Sequence, residues 1–71
     1  MARAEIRNQI RRLRFEHAEM TQQELAERVE CTRQTIILLE KERYVPSLAL
    51  ALRIARVFGE PVESIFELAE D

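Results

Sequence analysis

Apolar residues recur at helical spacing along this chain, in blocks divided by polar turns. Ile6, Ile10 and Leu13 repeat at i, i+4 and i+7 and predict a first helix over 3–17. Leu25, Ala26 and Val29 give a second helix, over 22–29, one apolar face. Ile36 and Leu39 do the same for a third, over 33–40. Residues 48–58 are apolar almost all round, interrupted only by Arg53 and Arg56. A fourth helix there is either central or covered by a partner as well as by its own core. Ile65, Phe66, Leu68 and Ala69 supply the apolar surface of a fifth, over 62–69. No strand pattern, repeat or low-complexity run is visible, so the expected class is all-α, a compact five-helix domain.

The punctuation agrees with the periodicity. Thr21 and Glu24 form a T-x-x-E capping box at the start of the second helix. Met20 precedes it, near the hydrophobic-staple position. Thr32 is the next good N-cap. Only Glu30 and Cys31 lie between the second and third helices, too little for a flexible linker. Two helices held so close cross steeply, and that arrangement is a helix-turn-helix, here over 21–40. Pro46 holds Val45 extended and ends any helix before it, which leaves 41–46 as a loop. Ser47 caps the fourth helix. Gly59, the only glycine, stands where that helix should close, and Pro61 fits the first turn of the fifth.

The third helix carries the chemistry. At about 100° per residue, Ile36 and Leu39 share one side. Arg33, Gln34, Ile37, Leu38 and Lys41 share the other. Arginine and glutamine are the side chains that read guanine and adenine edges bidentately. An ordinary solvated helix face would give the same wheel.

Charge changes the picture more than composition does. The net charge of −2 argues against a generally basic nucleic-acid coat. Its distribution is uneven. Arg3, Arg7, Arg11, Arg12 and Arg14 stand against Glu5 alone, whereas residues 60–71 carry Glu60, Glu63, Glu67, Glu70 and Asp71. Such asymmetry is a hint of a polyanion-facing end; helix-dipole and solubility tuning is the alternative, and it fits the acidic tail better than the arginine cluster. On the expected first helix Arg3, Arg7, Arg11 and Arg14 would form a stripe whose stems cover apolar surface. The chain has 71 residues, enough for one domain over 1–71. A domain of that size buries only roughly 60% of its unfolded surface, so an effector pocket beside a DNA reader has no room. No apolar run approaches a membrane span and no signal-peptide core is visible, so the cytoplasm is expected, with the protein at the nucleoid when bound to DNA. Cys31 and His17 are alone of their kind. Cys31 reads as a small apolar turn residue, with redox sensing the alternative, and His17 as a helix-end residue. No catalytic set, cofactor site or metal site is expected.

The strings MTQQELAERV, TRQTI, LE at Leu39 and Glu40, YVPSLALALRIARVFG and PVESIF resemble the Cro/CI-type (XRE) helix-turn-helix regulators, especially the small stand-alone ones. The likeness runs from about Ile10 to Phe66. It implies a lambda-repressor-like domain with its third helix in the major groove. It implies base contacts from Arg33, Gln34 and Leu38, with Ile37 beside them. Phosphate contacts are implied for Gln22 and Arg43, and Lys41 adjoins them on the outward face. Arg14 and Glu40 match a pair that forms a structural salt bridge. Ala18, Glu30 and Glu42 stand where relatives often have glycine, and Leu38 where small or polar residues are common. An aliphatic Ile37–Leu38 pair either touches thymine methyls or adds core from a rotated helix.

Two functions are open on these residues. One is a homodimeric regulator, expected to be a repressor, bound to an inverted-repeat operator in double-stranded DNA. Leu50, Ile54, Val57, Ile65 and Phe66 are its expected dimer contacts. The other is an antitoxin or adaptor on the same fold whose main partner is a protein, suggested by the net acidity and the acidic tail.

Overall fold

The structure is a computed structural model, described here over residues 6–69. Its order is β1 (Ile6–Asn8), α1 (Ile10–Glu16), α2 (Gln22–Arg28), α3 (Arg33–Glu40), α4 (Leu48–Phe58), α5 (Val62–Ile65) and β2 (Phe66–Leu68). The predicted five helices are present. The second, third and fourth begin where their caps predict. Thr21 accepts from the Glu24 N–H while the Glu24 carboxylate accepts from Thr21 N–H, closing the capping box. The Thr21 N–H first, and the Thr21 hydroxyl after it, hold the Glu24 carboxyl below its usual range. Their support is therefore present above the unfolded carboxyl pKa and lost as pH falls through the folded one. Thr32 and Ser47 accept from Thr35 N–H and Leu50 N–H in the same way.

The two ends of the chain depart from expectation. The first helix does not start near residue 3, and Arg3 lies outside the described residues. Ile6–Asn8 instead pairs antiparallel with Phe66–Leu68, in the register Ile6 to Leu68, Arg7 to Glu67 and Asn8 to Phe66. The fifth helix accordingly stops at Ile65, and Phe66 turns extended at φ −119° and ψ 141°. Ile6 fits a helical stripe with Ile10, but a helix there would forfeit this ladder. Tertiary pairing overrides local propensity. The fold thus remains a five-helix one, fastened by a two-stranded ribbon.

A single core cluster draws on every helix: Ile10, Leu25, Ile36, Leu39, Ile54 and Ile65 are fully or almost fully buried. Met20 and Phe58 fill its margin. The His17 ring sets its edge against Phe58, with 5.0 Å between centroids, and its Nδ1 lies 2.9 Å from the Leu13 carbonyl oxygen. It is the helix-end residue expected.

Helices α1 to α4 each run into a left-handed residue, yet only one of these is glycine. Ala18, Glu19, Glu30 and Glu42 have φ of 56°, 53°, 62° and 60°, beside Gly59 at 67°. The geometry is needed because it turns the next N–H groups back onto orphan carbonyls. Cys31 N–H reaches the Ala26 carbonyl at 3.0 Å, Arg43 N–H the Leu38 carbonyl at 3.0 Å, and Glu60 N–H the Ala55 carbonyl at 3.1 Å. A side chain in this region costs roughly 1–2 kcal/mol, partly offset because a non-glycine has less freedom to lose on folding. Glu30 is exposed, so Glu30→Gly should stabilise the protein by about 0.5–1 kcal/mol. Glu42→Gly should gain less, since its carboxylate accepts from Asn8 N–H at 3.2 Å. Urea melts of both variants check this; a lower midpoint for Glu30→Gly would refute it.

Candidate nucleic-acid interface

The geometry of α3 is set by what it buries. Ile36 and Leu39 are 0% exposed, and Ile37 and Leu38 are half-buried. The helix is therefore not rotated to carry Leu38 into the core. Arg33, Gln34 and Lys41 are exposed, so the polar face expected from the wheel does point outward. The turn before it is rigid. Glu30 adopts its left-handed conformation, Cys31 N–H closes α2, and Thr32 caps α3. The Cys31 Sγ is 3.5 Å from the Thr32 carbonyl oxygen and burial pushes its thiol pKa up. The side chain is half-buried and packs against the core cluster, which favours the packing role.

Glu40, at the end of α3, is bound from two other helices. Arg14 Nε donates to one carboxylate oxygen at 2.6 Å and Nη2 to the other at 3.0 Å. Arg14 Nη1 also donates to the Met20 carbonyl at 2.8 Å. The side chains of the pair are 15% and 9% exposed. The expected salt bridge is thus present as a two-pronged fork. Gln22 Nε2 donates to Glu40 Oε1 at 3.1 Å. Its side chain is therefore anchored to α3, which orients the amide expected to face phosphate.

Around this anchor four exposed cations collect. Arg11, Gln22, Ile37 and Lys41 line one hollow with the Arg14–Glu40 pair. Leu38, Lys41 and Arg43 line a second. Arg33 lines a third with Phe15, Glu19, Thr21, Gln22 and Gln23. Gln34 is exposed on the same helix. Arg11 and exposed Phe15 were not singled out as site residues in the sequence, where they look like ordinary helix surface. Spacing gave Arg11 a signal, three residues before Arg14, but not its neighbours. The predicted four-arginine stripe does not survive the loss of helix before Ile10. Arg7 lies in β1 and meets Glu67 across the ribbon at 3.8 Å. Arg12, outside that stripe, meets Glu16 at 2.9 Å.

The residues expected at a dimer contact are placed otherwise. Leu50, Ile54, Ile65 and Phe66 are buried in the core of the single chain, and Val57 packs against that core. α4 buries Leu50, Ala51, Ile54, Ala55 and Phe58 and exposes Leu48, Ala49, Leu52, Arg53 and Arg56. Counting apolar residues correctly indicated an excess on α4 but assigned the wrong members to the surface.

The helix-turn-helix family model matches residues 10–65, which span α1 to α5. The chain belongs to the helix-turn-helix family, in its XRE type. An uncharacterised HTH-type transcriptional regulator of Methanothermobacter thermautotrophicus is 68% identical over 53 residues, covering 73% of this chain and 77% of that protein. Another, from Methanocaldococcus jannaschii, is 42% identical over 66 residues, covering 93% and 98%. The crystal structure of a candidate DNA-binding protein from Bacteroides fragilis aligns with a TM-score of 0.74 at 19% identity, covering 87% of this chain and 98% of that one. That likeness shows the fold. The family and the relatives' names support DNA-binding regulation rather than enzymatic activity. Among the described residues no helix is long and apolar enough to cross a membrane.

The fork in this helix-turn-helix gives a direct test. Arg14→Ala strands a carboxylate that is mostly withdrawn from water, and Glu40→Ala strands the guanidinium. Each should cost about 3 kcal/mol, the lower end for a broken buried pair. Chemical denaturation of both variants and the double variant should reveal a coupling of about 1–3 kcal/mol. Arg14→Lys should not restore it, because an ammonium cannot grip both oxygens in plane. Strictly additive losses would show that the two residues act separately.

Proposed function

We propose that this protein is a sequence-specific DNA-binding transcriptional regulator that acts as a homodimer, with α3 in the major groove. The observation that carries the reading is the outward face of α3. Arg33 and Gln34 are exposed on a helix whose opposite side is locked into the core, and Lys41, Arg43 and Arg11 surround it. In this reading Arg33 and Gln34 read base edges, and the half-exposed Ile37 and Leu38 meet thymine methyls. Gln22, Lys41 and Arg43 hold phosphates and set the register. A repressor needs no more than occupancy of its site.

Binding to selected and random duplexes across a salt series tests these roles. Arg33→Ala should cost about 1–3 kcal/mol on the best site and relax one position of it. Arg43→Ala should weaken all sequences alike and lower the salt slope by about one unit. If Arg33→Ala weakened random DNA as much as the best site, the assignment of base reading would fail.

A single α3 reads too few base pairs to mark one site in a genome. A two-fold pair of copies supplies two, in major grooves about 10 base pairs apart. The available surface is the exposed side of α4 and the loop before it. Leu48 is 72% and Leu52 51% exposed, one helical turn apart, with Val45 close by in sequence. Ile6, Val45, Pro46, Leu48, Val62 and Phe66 line an almost wholly apolar groove there. Sedimentation equilibrium should find a dimer at micromolar concentration, alone or on DNA, and Leu48→Glu should shift it to monomer. A native protein that stays monomeric in both conditions and protects one half-site would remove the dimer.

A further inference from the structure

We propose that Asn8 is a positioning residue for α3, through which the pairing of the two ends of the chain governs the DNA-reading helix. Asn8 lies in β1, opposite Phe66. Its Nδ2 donates to the Leu39 carbonyl oxygen at 2.8 Å. Its backbone N–H donates to Glu42 Oε2 at 3.2 Å. Its Oδ1 accepts from Ile10 N–H at 3.2 Å. One residue thus joins β1, the start of α1 and the end of α3.

The chemistry requires an amide. Ile10 N–H needs an acceptor and the Leu39 carbonyl needs a donor, so the network itself fixes which way the amide faces. The last carbonyls of a helix have no partner within it. At Leu39 both lone pairs are taken, one by Glu42 N–H at 2.9 Å and one by Asn8. A carboxylate at position 8 would face that carbonyl with no proton to give, beside the Glu42 carboxylate. The next residue holds the ribbon to α5, since Gln9 N–H donates to the Ile65 carbonyl at 2.9 Å.

Asn8 binds Leu39, and Arg14 and Gln22 bind Glu40, so consecutive residues are held from β1, α1 and α2. Lys41 and Arg43 follow at once. A helix of eight residues is roughly 12 Å long, so a tilt of about 5° at this end moves Arg33 by about 1 Å. A recognition constellation must be held within about 0.5 Å. Phosphate contacts tolerate such a shift better than bidentate base contacts do.

This inference rests on the DNA-reading role proposed above, and its test separates the two. The probes are the best duplex selected from a random library by the native protein, and a random duplex. Affinities are measured well below the melting temperature. Asn8→Asp, nearly isosteric, should lower the ratio of selected to random affinity about tenfold and leave the salt slope unchanged. Amide exchange at Glu42 and Arg43, whose N–H groups close α3, should quicken ahead of exchange in α2. An unchanged ratio overturns the proposal whatever the melting temperature does, because a merely structural asparagine would lower stability alone. If the native protein selects no duplex, the DNA reading fails, and unchanged exchange at Glu42 and Arg43 would still overturn the latch. Should Asn8→Asp not fold, the same change is made in Glu30→Gly, which removes left-handed strain outside the Asn8 network, and is compared with Glu30→Gly alone.

Discussion

Arg14 belongs to α1 and Glu40 closes α3, twenty-six residues later, and the fork between them fixes an angle that apolar burial alone cannot fix. Burial of Ile36 and Leu39 is worth several kcal/mol, but it is non-directional. It locks the buried side of α3 into the core but sets a small roll about the helix axis less sharply. Two parallel N–H···O bonds in the guanidinium plane do not tolerate that roll. Taking these charges out of water is costly, and a well-packed apolar pair is often as stable. The fork is therefore better understood as a device for geometry. Its remaining polar atoms are used as well: the Met20 carbonyl takes the third Arg14 donor, and Gln22 donates to Glu40. Among the described residues no buried side-chain nitrogen or oxygen lacks a partner.

Rigidity around that anchor comes from the helix ends. The left-handed conformations of Ala18, Glu30 and Glu42 are strained, and each is held by the hydrogen bonds it permits. Those bonds carry the chain back to Met20 in the core, set the α2–α3 turn and tie Arg43 to the end of α3. A frame with one glycine has fewer unfolded conformations to lose, so the local strain is in part returned through the unfolded state.

What the sequence made legible was local. Thr21 with Glu24, Thr32, Ser47 and Gly59 signal helix ends within four residues of themselves, and three helices start where those signals stand. The face of α3 followed from two buried residues. The ribbon was not legible, because three-residue strands have no period. Ile6 fits helix and strand equally, and only Phe66–Leu68, some sixty residues later, decides between them. Asn8 was invisible for the same reason, since its partners Leu39 in α3 and Glu42 just after it lie more than thirty residues away. The dimer residues failed differently. An excess of apolar positions on α4 reveals that some are exposed, but which face turns inward depends on where α5 and the ribbon pack.

The net charge of −2 does not conflict with a face made for a polyanion. What matters at the surface is how charges pair, since exposed charges are largely screened beyond about 8 Å at physiological salt. Glu67 is matched by Arg7, Glu16 by Arg12 and Glu40 by Arg14. Glu60 and Glu63 fall on α5 and the turn before it, an element that packs with α4 and β2. Arg11, Arg33, Lys41 and Arg43 gather instead around α3, where they outnumber Glu19 and Glu42 beside them. Pairing Glu40 with Arg14 is the decisive step in this arrangement. It places a carboxylate at the centre of the cationic face, where it anchors the helix, and cancels its charge there. The same contact thus sets the position of the reading helix and preserves the sign of the surface around it.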